Sequence, residues 1–326
     1  MTCDAADGFR RDLHRWRQLV APAWLQALVA QQPVIAGPVG DWRLLEIGFG
    51  DHAAFQQGHI PGAGYIDTTE LEQGPLWNKV ADDALLALLL KHGIRENTTV
   101  VLYSRKLLPA ARAAHLMLYA GVVDVRLLDG GLAAWDAQGL PRAQGLSPAP
   151  GAAGNFGAVF PGRPGYMADM HQVRRHIAAA DACLVSIRTW NEFIGRTSGY
   201  SYIPARGDIP GSVWGRTGGD DDVNSISEFH DHCGRMRAAA DIRSIWSGKG
   251  IQGGRQTVFY CGTGWRASLA FFYAWLMDWP RISVYDGGWA EWSGDEANPV
   301  ICRASDSCQP FMSPLDAQFL AFASGG

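Results

Sequence analysis

Thr257-Val258-Phe259-Tyr260-Cys261-Gly262-Thr263-Gly264-Trp265-Arg266-Ala267-Ser268 is the stretch on which the fold turns. β-Favouring residues run into a cysteine, a glycine-rich turn follows, and the apolar segment Leu269 to Met277 is long enough for a buried helix. The pattern predicts strand, loop, helix, with Cys261 at the strand's C-terminal end. A thiol there meets a curl of backbone N–H groups and the positive end of a helix dipole, both of which stabilise a thiolate. Gly262 and Gly264 let backbone approach a ligand closely, and Arg266 brings a positive charge that a packed core cysteine would not need. Cys261 is therefore the candidate nucleophile, cradled by Gly262, Thr263, Gly264, Trp265, Arg266 and Ala267.

The chain has 326 residues, which suits two domains of about 150 residues each. Its 28 basic and 32 acidic side chains nearly balance, and without a basic run they give no reason to expect nucleic acid or an anionic membrane as partner. No apolar segment approaches the ~20 residues that span a bilayer. Arg10, Arg11, Arg15 and Arg17 alternate with acids and lack the apolar core of a signal peptide, so a cytoplasmic location is expected. None of the six cysteines has CxxC or Cys/His metal spacing, and no metal or organic cofactor is expected. His230, Asp231, His232 and Cys233 are adjacent, so on a regular element they would point apart; a solvated segment is the reading. Cys302 and Cys308 fall in a loop-like tail and could pair under oxidation, though in a cytosol they should stay reduced.

In order, residues 1 to 30 read as helical with a break at Pro22, and Trp42 to Ile47 as a buried strand. Gly58 to Ala63 is a turn before a short strand at Tyr65-Ile66. Ala81 to His92 is a helix closed by Gly93, Thr98 to Tyr103 a strand, Ala110 to Ala120 a helix, and Val125 to Leu128 a strand entering Asp129-Gly130-Gly131. Leu132 to Gln138 makes a short helix, after which the Gly, Ala and Pro of Pro141 to Pro164 read as a linker.

The second half repeats the first. Ala182 to Ile187 answers the strand at 42–47, and Gly207-Asp208-Ile209-Pro210-Gly211-Ser212 answers Gly58-His59-Ile60-Pro61-Gly62-Ala63. Cys261 answers Ser104 and Asp286 answers Asp129 at one shared offset of 157 (261 − 104 and 286 − 129). The chain is thus a tandem duplication of an α/β unit with a mainly parallel sheet flanked by helices. Expected boundaries are 1–145 for the first domain, 146–164 for the linker, 165–305 for the catalytic domain and 306–326 for a tail. The first copy has Ser104-Arg105-Lys106-Leu107-Leu108-Pro109 where the second has Cys261 to Arg266. A serine with no neighbouring base is a poor nucleophile, so the first copy reads as scaffold and wall.

These motifs together resemble the tandem-domain rhodaneses, a sulfurtransferase family. The resemblance covers both halves and implies an inactive first domain packed on a catalytic second one. It implies that the Cys261 thiolate takes a sulfane sulfur from a donor as a persulfide, which a nucleophilic acceptor then collects. Arg266 would lower the thiol pKa and attract anionic donors. Related phosphatases place five residues between cysteine and arginine; here four separate Cys261 from Arg266, a cradle that suits one sulfur better than a phosphate.

Glu192-Phe193 stands where thiosulfate- and mercaptopyruvate-using members usually carry a basic residue before the aromatic, which counts against those two donors. Gly199-Tyr200-Ser201-Tyr202-Ile203 together with the Cys261 loop resembles instead the anaerobic ergothioneine synthases, which move polysulfide sulfur onto an imidazole carbon. On that resemblance Tyr202 and Thr263 would meet the substrate ring, Asp67 would face its cation, and Arg188 would also bind substrate. The bland readings stand beside these: Tyr200 as packing, Arg188 paired with Glu192 one helical turn on. Trp77, Asn78 and Trp214 are expected at the interdomain surface, and Asp286-Gly287-Gly288 to shape backbone near the active loop. Partners would be a small-molecule sulfur donor and acceptor, with delivery to a partner protein kept as an alternative.

Overall fold

The computed structural model describes residues 9–146 and 151–304; part of the expected linker and the expected tail beyond 305 lie outside them. Strands made of consecutive apolar residues are those buried on both faces, and they sit at the sheet centres here. The first half runs β1 (Leu19–Val20), α1 (Pro22–Val29), β2 (Trp42–Gly48), α2 (His52–Gln57), β3 (Gly64–Asp67), a small hairpin β4 (Glu72–Gln73) and β5 (Asn78–Lys79), α3 (Asp82–Lys91), β6 (Thr99–Tyr103), α4 (Leu108–Ala120), β7 (Asp124–Leu128) and α5 (Gly131–Ala137). The second runs β8 (Met167–Ala168), α6 (Met170–Ala179), β9 (Ala182–Ser186), α7 (Trp190–Ile194), β10 (Val213–Trp214), α8 (Ala239–Ser247), β11 (Gln256–Tyr260), α9 (Trp265–Leu276), β12 (Ile282–Tyr285) and α10 (Gly288–Gly294).

Each half carries a five-stranded sheet, in the orders β1-β7-β6-β2-β3 and β10-β9-β11-β12-β8. Every pairing within them is parallel. Reversing the second order aligns β8, β12, β11, β9 and β10 with β1, β7, β6, β2 and β3, so the duplication extends to topology. Register agrees as well: Glu46 lies beside Tyr103 on β2 and β6, and Ser186 beside Tyr260 on β9 and β11.

The halves are joined by a shared layer. Every residue of α4 is buried, as is every residue of α9 after Trp265, and the two helices pack on each other. A helix apolar on all sides must be covered on all sides. One apolar cluster accordingly runs from Leu45, Leu102 and Leu116 to Val185, Phe259 and Phe271, across both sheets' inner faces. Smaller clusters around Trp135 and Trp289 fill the outer faces. At this interface the fully buried Arg112 of α4 donates to Glu72 (2.7 Å) in its own half and to Asp286 (2.5 Å) in the other. Asp286 also accepts the Lys79 N–H at 2.9 Å.

Some expectations are corrected. Residues 1–8 are not described, and helix begins only at Pro22, whose fixed φ suits a first helical turn; ahead of it lie a 3-10 turn and an edge strand paired with β7. The stretch 151–164 has no long element but is no free spacer: Ala153 donates to Leu90, Phe156 accepts from Glu96 and Gly162 donates to Ala120. Phe156 is buried in the shared core. Trp214 is not interdomain; its indole donates to the Arg188 carbonyl (2.8 Å) and its ring packs on Trp190. Cys302 is disulfide-bonded rather than reduced. His230 meets the Tyr273 hydroxyl at 2.8 Å. Among the described residues no helix is long and apolar enough to cross a membrane.

Candidate active site

Cys261 follows the last residue of β11, and the loop after it closes within four residues into α9. The Gly264 N–H donates to Cys261 Sγ at 3.2 Å, and Gly264 holds a left-handed φ of +101° that a side chain would resist. The sulfur therefore sits at the foot of a long buried helix, against an inward-turned amide.

Asp286-Gly287-Gly288 sets the loop's backbone from the next strand. Trp289 donates its N–H to the Cys261 carbonyl at 2.8 Å, and Ala290 donates to Gly262 at 3.0 Å. Gly288 has φ +52°, and a Cβ there would lie 2.6 Å from the Cys261 oxygen. The first copy repeats this device: a Cβ on Gly131 would lie 2.6 Å from the Ser104 oxygen, which accepts the Leu132 N–H. A Cβ on Gly262, in turn, would run into the Tyr200 ring.

Arg266 is not a free charge. It is almost fully buried and donates to both Glu192 oxygens (2.7 and 3.0 Å) and to the Tyr200 hydroxyl (2.9 Å). Burial alone would raise the Glu192 carboxyl, but Arg266, Arg188 and the Thr189 N–H bring it down to about 2. The Glu192–Arg266 pair answers the loop's cation inside the protein, so Arg266 meets the cavity with its charge balanced by Glu192. Glu192, which the sequence presents as a departure from a basic position, is the counterion of two arginines.

Arg188 is also closed off. It is fully buried and bonded to Gly207 O (2.7 Å), Glu192 (3.3 Å) and Asp208 (3.5 Å), and it does not line the cavity beside the loop. The pairing with Glu192 is thus present in the fold. Asp67 is likewise occupied, accepting from Thr69 N, Thr69 Oγ1, Gly50 N and the Tyr65 hydroxyl in a capping box with Glu70. It does not reach the cavity wall; Asp51 does.

That cavity, of about 390 Å³, lies between the halves. The second half contributes Tyr200, Tyr202, Thr263, Trp265 and Arg266, and the first half Phe49, Asp51, Glu72, Trp77 and the loop Arg105-Lys106. Tyr202 is about half exposed; burial of its ring pushes the phenol up, a hydrogen bond with Thr263 offsetting part of it. Trp265 is tied across the interface, its indole N–H shared between the two Glu72 oxygens (2.7 and 2.9 Å). Burial pushes the Glu72 carboxyl up to about 6 even with Arg112 and Trp265 donating to it. Phe49 meets Trp77 and Trp265 edge-on at 5.8 and 6.0 Å.

The sequence reading does not place Phe49, Asp51, Glu72 or Lys106 on this wall. The one available signal is the duplication itself, which puts the Ser104 loop in the counterpart position to the Cys261 loop.

Known proteins bear on this geometry. The rhodanese-like domain family matches residues 21–138 and 169–295. The thiosulfate sulfurtransferase YnjE of Escherichia coli (strain K12) is 51% identical over 90% of this chain and 68% of its own length. The crystal structure of YnjE superposes with a TM-score of 0.86, covering 89% of this chain and 69% of that one. An anaerobic ergothioneine biosynthesis enzyme from Chlorobium limicola, solved with trimethyl histidine, is 36% identical with a TM-score of 0.85, over 89% and 71% of the two chains. The sulfur carrier protein TtuD of Thermus thermophilus is 27% identical over 86% of this chain and 95% of its own. By the family match over both halves and the identity to a named member, this chain belongs to the rhodanese-like family and is a sulfurtransferase.

Proposed function

We propose that the second half, 165–305, is the catalytic one and that Cys261 carries the transferred sulfur. The thiolate attacks the sulfane sulfur of a small donor. With thiosulfate, the donor in the name of the Escherichia coli relative, a new S–S bond forms on Cys261. The donor's S–S bond breaks and sulfite leaves with its electron pair. The persulfide, stabilised by the Gly264 N–H and the α9 dipole, then yields its outer sulfur to a nucleophilic acceptor, restoring the thiolate. The observation that carries this is the 3.2 Å Gly264 N–H···Sγ bond at the helix foot, in a loop whose next residues open onto the cavity.

Intact mass after incubation with thiosulfate, mercaptopyruvate or polysulfide tests it. The native protein should gain about 32 Da and Cys261→Ser should gain nothing. No gain with any donor, or an equal gain on the variant, overturns the reading.

For the acceptor, the Tyr202 and Thr263 hydroxyl groups on the wall favour a small polar ring over a protein chain, in a cavity lined by both halves. An imidazole acceptor, the ring carried by the trimethyl histidine that is the natural substrate of the Chlorobium relative, fits these hydroxyls as proton donors or acceptors. Tyr202→Phe should slow discharge of the persulfide by an imidazole while leaving its formation intact. Trapping of a partner protein by Cys261→Ser, with no small acceptor turned over, would favour a carrier role instead.

A further inference from the structure

The charges on the cavity wall divide unevenly. Arg266 is consumed by Glu192 at 2.7 Å. Arg105 is consumed by Glu46 at 2.8 Å and by the carbonyls of Ala54 and Gly58. Glu72 is held by Arg112 and the Trp265 indole. Lys106 is exposed, lines the same cavity and, among the described residues, has no ion pair, not even with Asp51 on the same wall. The one cation on the described wall left to answer an anion is therefore supplied by the non-catalytic copy.

Its position is built. Ser104, which stands where the catalytic copy has its cysteine, donates its hydroxyl to the Lys106 carbonyl at 2.6 Å and accepts the Ala110 N–H at 3.3 Å. Arg105 locks the next link of the loop to β2 and α2 through the bonds just given. The backbone on which Lys106 stands is thus pinned, and the exposed Lys106 lines the cavity that Thr263, Trp265 and Arg266 line from the other side. The loop that lost its thiol holds a lysine opposite the loop that kept one.

We propose that Lys106 is the specificity-determining cation for the sulfur donor. Its ammonium pairs with the donor's oxyanion group, the sulfonate end of a thiosulfate-type molecule, while the outer sulfur meets Cys261. Because the loop's own arginine is neutralised by Glu192, donor recognition is divided between the two copies. This rests on Cys261 being the persulfide-forming residue, and it accounts for oxyanion donors despite the acidic residue at 192.

The test is the rate at which Cys261 is charged on the full chain, followed by intact mass: thiosulfate adds one sulfur as sulfite leaves, whereas an uncharged organic trisulfide RS–S–SR adds an S–SR group, as a mixed trisulfide, while RS⁻ leaves. In Lys106→Ala the ratio of the thiosulfate rate to the trisulfide rate should fall about tenfold, as expected for losing one partly screened charge contact. It should fall further in Lys106→Glu and be largely restored in Lys106→Arg. The native ratio should also drop with added salt, and that salt dependence should vanish in Lys106→Ala. An unchanged ratio in Lys106→Glu, or equal losses with both donors, overturns the proposal. So does native protein charged by the trisulfide alone, which leaves Cys261 as carrier but removes the oxyanion site. Native protein charged by neither donor overturns the Cys261 reading itself, and this inference with it.

Discussion

Arg266 donates to Glu192 at two points, Nη1 to Oε2 at 2.7 Å and Nη2 to Oε1 at 3.0 Å, with both side chains almost fully buried. The same carboxylate takes Arg188 at 3.3 Å. Removing it strands two buried guanidinium groups, and breaking a buried pair costs about 3–5 kcal/mol. Glu192→Gln should therefore lower the urea midpoint sharply at neutral pH. The folded carboxyl titrates below its unfolded value of 4.5, so its stabilisation is fully present above that pH and is lost as pH falls toward about 2. The gap between native protein and Glu192→Gln should narrow over that acid range, and a gap independent of pH would contradict the ion-pair account.

His115 gives a second pH signature from the interface layer. It is fully buried on α4, with Nε2 2.9 Å from the Tyr166 carbonyl, and burial together with Arg112 pushes its pKa down to about 3. The folded ring stays neutral while the unfolded one takes up a proton below 6.5, so stability should fall as pH drops from 6.5 toward 3. The slope is at most about 1.4 kcal/mol per pH unit. Glu72 and Asp129, raised to about 6 mainly by burial, act in the opposite sense. The comparison is therefore native against His115→Gln, whose difference should tilt with pH in urea unfolding between about pH 7 and about pH 5.

Putting a thiol back in the first copy should not create a second site. In Ser104→Cys the new sulfur would lie between the Lys106 carbonyl and the Ala110 amide, in a loop without the catalytic copy's two glycines. Intact mass after charging should show a gain of one sulfur, not two. Two would mean that the loop backbone matters less than the thiol.

Gly288 offers a test of the loop's support that leaves Cys261 in place. A methyl group there would press on the Cys261 and Gly262 carbonyls and would have to adopt φ +52°. Strain of that kind costs about 1–3 kcal/mol. Gly288→Ala should lose that much in chemical unfolding, and its persulfide formation should slow at a temperature where the fold remains intact. Unchanged formation would remove the Gly288 segment from the loop's support.

Much of this molecule can be read from its residues because the signals are local or repeated. Apolar runs such as Thr99–Tyr103 and Gln256–Tyr260 mark strands, Cys261-Gly262-Thr263-Gly264 marks a turn into a helix, and the offset of 157 marks the duplication. The placement of Cys261 at a strand's end follows from these alone. What the sequence could not determine is which charges cancel. Arg266 reads as a ligand because a cation beside a thiol suggests one, and Arg188 reads either as a ligand or as the partner of Glu192, yet whether a charge is free depends on what folds against it. Glu192 reaches Arg266 across 74 positions of chain and Asp286 reaches Arg112 across 174. Asp67 reads as available and is consumed by its own helix cap. Lys106, unremarkable in sequence, becomes a wall residue only when α4 and α9 pack and bring the two copies' loops to one cavity. Secondary structure follows from neighbours in sequence, whereas the electrostatics of a site follow from neighbours in space.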